Sequence, residues 1–149
     1  MEEWERFAEW IIGELRLEWA RDGAVGPTWW MLSGGRAFRF VIPVEGDKDL
    51  LASIGKLVLK DMGATIAAFS DEAWILEKVG SEEEIKRRSE EGLEHAPGRR
   101  ECVIVSVDDG MHQRLCTMMV EEETRVLGEP SWAYDSIGGR MGRLLGGLH

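Results

Sequence analysis

The sequence predicts an α+β fold with a mainly antiparallel sheet of five to six strands, two main helices and a short C-terminal helical tail. Three observations carry that expectation. Apolar residues recur at three- and four-residue spacing in two segments, as on one face of a helix. Two turn signals, Gly34-Gly35 and Asp109-Gly110, each join runs rich in β-branched and aromatic residues. Residues 64–76 are apolar on both strand faces in their first half, which suits a central strand covered from both sides. At 149 residues the chain is expected to form a single domain, 1–149, with one core.

The first helix is expected over residues 2–22, with Trp4, Phe7, Ala8, Ile11, Ile12, Leu15 and Trp19 on its core face. Trp10 and Leu17, seven residues apart beside Gly13, form a second, narrower apolar stripe. That stripe is either covered by a loop or tail, or is isolated surface, or is a partner or self-association face anchored by the indole. Residues 23–27 break the helix, and 28–33 and 36–42 read as a hairpin around Gly34-Gly35. Neighbouring strand residues point to opposite faces, so Trp29 and Trp30 do not enter the same core.

Asp47 reads as the N-cap of a second helix whose apolar positions are Leu50, Leu51, Ile54, Leu57, Val58 and Met62, ended by Gly63. The central strand follows, with a bend expected near Ser70 and Asp71. Asp71 and Glu72 then require solvent or a charged partner. Residues 81–98 carry a capping-box pattern, Ser81 with Glu84, but only Ile85 and Leu93 are apolar, so a charged, mobile excursion is expected there.

Strands are expected at 100–107 and 112–120, joined by a two-residue turn at Asp109-Gly110. That turn sets Met111 opposite Asp108, Leu115 opposite Ile104, Cys116 opposite Val103 and Thr117 opposite Cys102. The two cysteines then lie on opposite faces and form no disulfide. Residues 124–127 read as an edge strand stopped by Pro130, and 135–149 as a Gly-rich tail that is helical only when packed on something.

A formal charge of −10 at pH 7 disfavours direct nucleic-acid binding and anionic membrane surfaces, since affinity for either comes from basic side chains. The beginning of the chain has no basic or apolar leader, and no run reaches the roughly 18 apolar residues of a membrane helix, so a soluble, cytoplasmic protein is expected. His95, His112 and His149 match no zinc spacing with Cys102 or Cys116. No phosphate loop or nucleophile elbow is spelled, so neither cofactor nor metal is expected.

One constellation remains. Glu72 and Trp74 lie toward the end of the central strand, Glu101 lies at the beginning of the next long one, and Arg99-Arg100 immediately precede it after a Pro97-Gly98 turn. If those strands are neighbours, two carboxylates and one or two guanidiniums converge beside an indole. They form either a structural ion-pair cluster or a small acidic-basic pocket.

The segments Phe69-Ser-Asp-Glu-Ala-Trp74, Pro97-Gly-Arg-Arg-Glu101, Val103-Ile-Val-Ser-Val107 and Asp108-Asp-Gly110 resemble a family of small, functionally uncharacterised bacterial and phage-type proteins. That family's pattern is Phe-x-Ser-Glu-Ala-Trp, an acidic insert, then Pro-x-Arg-x-Glu leading into a Val-rich strand. The resemblance covers residues 64–115, with Asp71 where the pattern has Ser. It implies no activity but singles out Glu72, Trp74, Arg99 and Glu101.

The expected function is therefore that of a non-enzymatic, cytoplasmic interaction or regulatory protein, phage- or defence-related, binding a protein partner or a second copy of itself. Its candidate binding residues are Trp74, Arg99, Arg100, Trp10 and Leu17, and seven tryptophans in the chain support a contact surface. Two alternatives stand beside it. One is a small enzyme or metal-dependent hydrolase using Glu72 and Glu101; the other is an acidic mimic of nucleic acid.

Overall fold

A computed structural model of the chain describes residues 1–43, 45–76, 83, 87, 98–134 and 144–145. The first helix, α1, spans Glu3–Asp22; Glu2 and Glu5 form a capping box at its start, and Gly23 ends it with φ 68°. Strands β1 (Thr28–Ser33) and β2 (Arg36–Phe40) form the expected hairpin, with Gly34 and Gly35 at φ 58° and 75°, where side chains are disfavoured.

Helix α2 spans Lys48–Asp61, and the Asp47 carboxylate accepts from the Asp49 and Leu50 backbone N–H groups. It closes at Gly63, after which the Ala64 N–H donates back to the Leu59 carbonyl. Strands β3 (Ile66–Leu76), β4 (Arg99–Asp108), β5 (Gln113–Met119) and β6 (Ser131–Tyr134) follow. The six strands form one open antiparallel sheet in the order β2-β1-β3-β4-β5-β6, so β3 and β4 are its central pair.

Both faces of the sheet carry apolar packing, which is why neighbouring tryptophans are both buried. On one face Phe7, Ile11 and Leu15 of α1 pack with Trp30, Val103, Val105, Val107, Cys116 and Met118. On the other, Leu59 of α2 packs with Trp29, Met31, Ala67 and Phe69. Leu144 and Leu145 join that second cluster in a turn, where the Leu145 N–H donates to the Asp108 carboxylate at 3.0 Å. The rest of the expected helical tail, like the charged excursion at 81–98 apart from Glu83, Arg87 and Gly98, lies outside the described residues.

Four expectations are corrected. First, β3 runs unbroken through Ser70 and Asp71, because β4 pairs it from Ala67 to Leu76 and β1 holds it as far as Ser70. Second, the β4–β5 register is shifted by two: Cys116 lies opposite Val105, and Cys102 opposite Met119. The connection is a four-residue loop, 109–112, rather than a two-residue turn. Asp108 accepts from the Gly110 N–H, and Asp109 accepts from the Met111 and His112 N–H groups. A shift of two preserves side-chain parity, so the cysteines still occupy opposite faces.

Third, the sixth strand is Ser131–Tyr134, not 124–127, where only an isolated bridge joins Val120 to Leu127. The carbonyls of that segment are engaged by α1 instead. Arg16 donates to Leu127 O and Gly128 O at 3.0 and 2.9 Å, and the Trp19 indole N–H donates to Arg125 O at 2.6 Å. Arg125 adopts φ 58° and breaks the extended path.

Fourth, α2 does not lean on the face its large apolar residues mark. Ala52, Gly55 and Leu59 point inward, while Leu50, Leu57 and Met62 are exposed. The cause is Trp29, whose ring fills the space a Cβ on Gly55 would occupy, at 2.2 Å from such an atom. The small-residue side of the helix receives the indole, and the leucines turn outward.

Candidate functional site

The register of the central pair brings the predicted residues together. Trp74 lies opposite Glu101, Leu76 opposite Arg99 and Ile75 opposite Arg100. Glu72, Trp74, Arg99 and Glu101 consequently share the α1 side of the sheet, and Arg100 starts from the other side. Trp74, Arg99, Arg100 and Glu101, with Gly98, Val120, Glu122 and Arg125, line an open cleft of about 320 Å³ at the end of β3 and β4, and Glu72 is not among its walls.

The pairing inside this cluster differs from the expectation that Arg99 or Arg100 holds the carboxylates. Glu101 takes Arg125 in a two-pronged contact, with Nη1 at 2.9 Å and Nη2 at 3.2 Å from its two oxygens. Glu72 accepts from the Val25 backbone N–H at 2.8 Å, tying the segment after α1 to the sheet. Arg99 instead places its guanidinium 4.7 Å over the Trp74 ring, and the Arg100 Nη2 approaches Val120 O at 3.4 Å.

Arg125 is the residue that sequence reasoning missed. Its guanidinium also lies 5.3 Å from the Trp19 ring, and its backbone carbonyl receives that indole's N–H. The hydrogen bond with Glu101, then the attraction of Glu101 and more weakly of Glu72, holds the guanidinium still more firmly charged than usual. A second cleft of about 400 Å³, walled by Arg16, Trp19 and Val126, opens beside the same arginine. No local pattern marks position 125; only its left-handed backbone and the Trp19 contact select it.

Trp10 and Leu17 do not line the strand-end cleft. Trp10 sets its ring at right angles to Trp30 at 5.3 Å and leaves 36% of its surface exposed, so it is partly sheet packing rather than a free stripe. Leu17 is 68% exposed. Nearby, Arg39 pairs with Glu18 at 3.1 Å while lying 4.5 Å over the Trp30 ring.

No protein-family model, curated protein or solved structure matches the chain. Function therefore rests on the chemistry of the cleft itself. Among the described residues no three His, Cys, Asp and Glu side chains gather as a metal site requires, and no helix is long and apolar enough to cross a membrane.

Asp71 faces away from the cleft, on the α2 side. Burial pushes its carboxyl up, partly offset by the hydrogen bond from the Glu72 N–H. At the hairpin, burial would raise Asp109, but the His112 and Met111 N–H groups and Arg114 together hold it below the usual carboxylate range. Arg114, itself buried, packs 3.9 Å from the Trp4 ring while pairing with Asp109 at 2.9 Å.

Burial pushes the Cys102 thiol up to about 11 and the Cys116 thiol up to about 12. Neither is a thiolate near neutrality, and nucleophilic roles for them have no support. Because the folded values lie above the unfolded value near 9, the protonated thiols add stability below pH about 9 that is lost as pH rises toward 11–12. Both thiols are expected to resist a thiol-specific chromogenic reagent at pH 8 in the native protein and to react fully in denaturant. Rapid reaction of either one in the native state would contradict this burial.

Proposed function

We propose that the protein is a non-enzymatic cytoplasmic interaction protein, regulatory in role, that binds a protein partner through the ledge made by Trp74 and Arg99. The observation that carries this reading is the Arg99 guanidinium stacked 4.7 Å over an indole that remains 38% exposed at the cleft. Trp and Arg are enriched among the side chains that dominate protein interfaces, and the stacked guanidinium is held in place by the indole face.

The carboxylates support binding over catalysis. Glu101 has both oxygens on Arg125, and Glu72 is committed to the Val25 N–H, so each has a structural occupation. Arg99 beside the indole suits a partner segment that sets an acidic side chain next to an apolar one. The resemblance at residues 64–115 suggests a phage- or defence-type setting for that partner.

The test is affinity capture with quantitative mass spectrometry on the full chain. A specific protein captured by the wild type is expected to bind at least about tenfold more weakly to Trp74→Ala and to Arg99→Glu, with unchanged thermal stability. Capture that ignores both substitutions would refute the ledge as the binding site.

A further inference from the structure

Beside the ledge, β3 has an open edge. β4 pairs β3 from Ala67 to Leu76, but β1 pairs it only as far as Ser70, opposite Thr28. Among the described residues no strand stands beside Asp71 to Leu76 on the β1 side. The cause lies in the chain before β1. Pro27 has no N–H to donate, the Thr28 hydroxyl donates to Gly26 O at 3.1 Å, and the Val25 N–H turns to the Glu72 carboxylate at 2.8 Å.

The neighbouring pair fixes which amides face that gap. The Val120 N–H donates to Glu101 O at 3.0 Å, so Glu101 and the other odd-numbered residues of β4 direct their amides to β5. Arg100 and Cys102 then bond to Ile75 and Ala73, while Glu72, Trp74 and Leu76 direct their amides to the gap. The Glu72 N–H is taken by the Asp71 carboxylate at 2.8 Å, which closes the row where β1 stops. Beyond it the Glu72 and Trp74 carbonyls and the Trp74 and Leu76 N–H groups continue the row, and such a row is a template for one more strand.

The side chains along the edge define the strand that fits. On the α1 side, Arg99 lies over the exposed Trp74 indole with no carboxylate partner among the described residues. On the α2 side, Ala73 and Ile75 are apolar and half-buried. An added strand would stand about 4.8 Å from β3, within reach of a guanidinium already carried over the indole. The matching segment therefore sets an acidic side chain on the α1 side and β-branched side chains on the α2 side.

We propose that the partner binds by strand addition: an extended segment pairs antiparallel with Trp74 and Leu76 of β3, in line with β1, and sets an acidic side chain on Arg99. This mode of binding rests on the Trp74–Arg99 ledge as the partner surface, and adds the backbone contacts that side chains alone do not supply.

Amide exchange and chemical shifts of the isotope-labelled full chain, free and with the peptide acetyl-Thr-Val-Glu-Val-Thr-Val-amide up to about 2 mM, read the edge directly. In the free protein the Trp74 and Leu76 N–H groups are expected to exchange at least about tenfold faster than those of Ala73 and Ile75. With the peptide, the first two are expected to shift and gain protection, with a Kd of about 0.1–1 mM. Lys in place of the peptide's Glu is expected to weaken binding at least about fivefold. N-methylation of one set of alternate peptide residues is expected to abolish binding, and of the other set to preserve it, because only one edge of the added strand pairs. Leu76→Pro removes a gap-facing N–H and no bond to β4, so it is expected to weaken binding about tenfold with an unchanged melting temperature. Slow exchange of Trp74 and Leu76 in the free protein, no shift at those amides at the highest peptide concentration, or equal binding by the two N-methylated peptides would each overturn strand addition. Peptide binding that is lost in Arg99→Glu yet indifferent to the N-methyl pattern would overturn strand addition and keep the ledge as the partner surface. Partner capture that ignores Trp74→Ala and Arg99→Glu would remove the ledge itself.

Discussion

Replacing Gly55 by Ala is expected to destabilise the protein by about 1–3 kcal/mol, although the same change in an unobstructed helix stabilises by about 1 kcal/mol. The added Cβ would stand 2.2 Å from one ring atom of Trp29 and 2.4 Å from two others. The ring has no easy retreat, because Phe40 stacks on it at 6.0 Å and Phe69 meets it edge-on at 5.0 Å. Either α2 lifts from the sheet or the aromatic cluster reorganises, and both lose close packing.

Gly13→Ala supplies the internal control. No atom lies within 4 Å of a Cβ built there, so the substitution is expected to raise stability by up to about 1 kcal/mol. Urea denaturation of the two variants compares the signs directly. A coupling test sharpens it: Trp29→Leu should cost less in the Gly55→Ala background than in the wild type. A Gly55→Ala protein more stable than the wild type would mean that the indole does not occupy the notch.

Trp30→Ala is expected to cost about 3–5 kcal/mol, a large share of the 5–15 kcal/mol that holds an ordinary domain folded. Trp30 is fully buried, and its indole N–H donates to the Ser70 hydroxyl at 2.8 Å. Truncation removes the side chain under α1 and leaves a buried hydroxyl without that partner. Trp10→Ala, which touches the same ring from a partly exposed position, is expected to cost only about 1 kcal/mol. Chemical denaturation of both variants checks the ranking, and equal losses would show that Trp10 supports the core as much as Trp30 does.

The candidate cluster was legible on the condition that its two strands are neighbours, which the sheet order meets. Residues 64–76 and 100–107 read as strands from their own composition, and the observed antiparallel pairing, which begins at Arg99, carries Trp74 onto Glu101 and Leu76 onto Arg99. What could not be read was the cation that meets Glu101. Arg125 sits in a segment whose composition reads as a strand, yet its left-handed backbone and its carbonyl bond to Trp19 take it out of the sheet. That outcome depends on the distance between α1 and the segment after β5, which no local spacing encodes.

The hairpin at Asp109-Gly110 shows the same division on a smaller scale. Its location was plain in the dipeptide, but its length was decided by the carboxylates of Asp108 and Asp109, which bond to loop N–H groups. Two extra loop residues moved every pair by two and left each side chain on its expected face.

By itself, then, the sequence determined the helices, the strands up to β5, both hairpin positions, the opposed cysteines and the opposed tryptophans, because periodicity, caps and turn chemistry act over a few residues. Only the tertiary structure decided which side of α2 faces the sheet, which strand forms the edge and which arginine holds Glu101. Each of those depends on a contact between distant segments: Trp29 against Gly55, Arg16 against the carbonyls of Leu127 and Gly128, and Arg125 against Glu101. Helix amphipathicity ranks residues by size and polarity, but an indole seeking a notch ranks them by the absence of a side chain. That competition turned Leu50 and Leu57 outward.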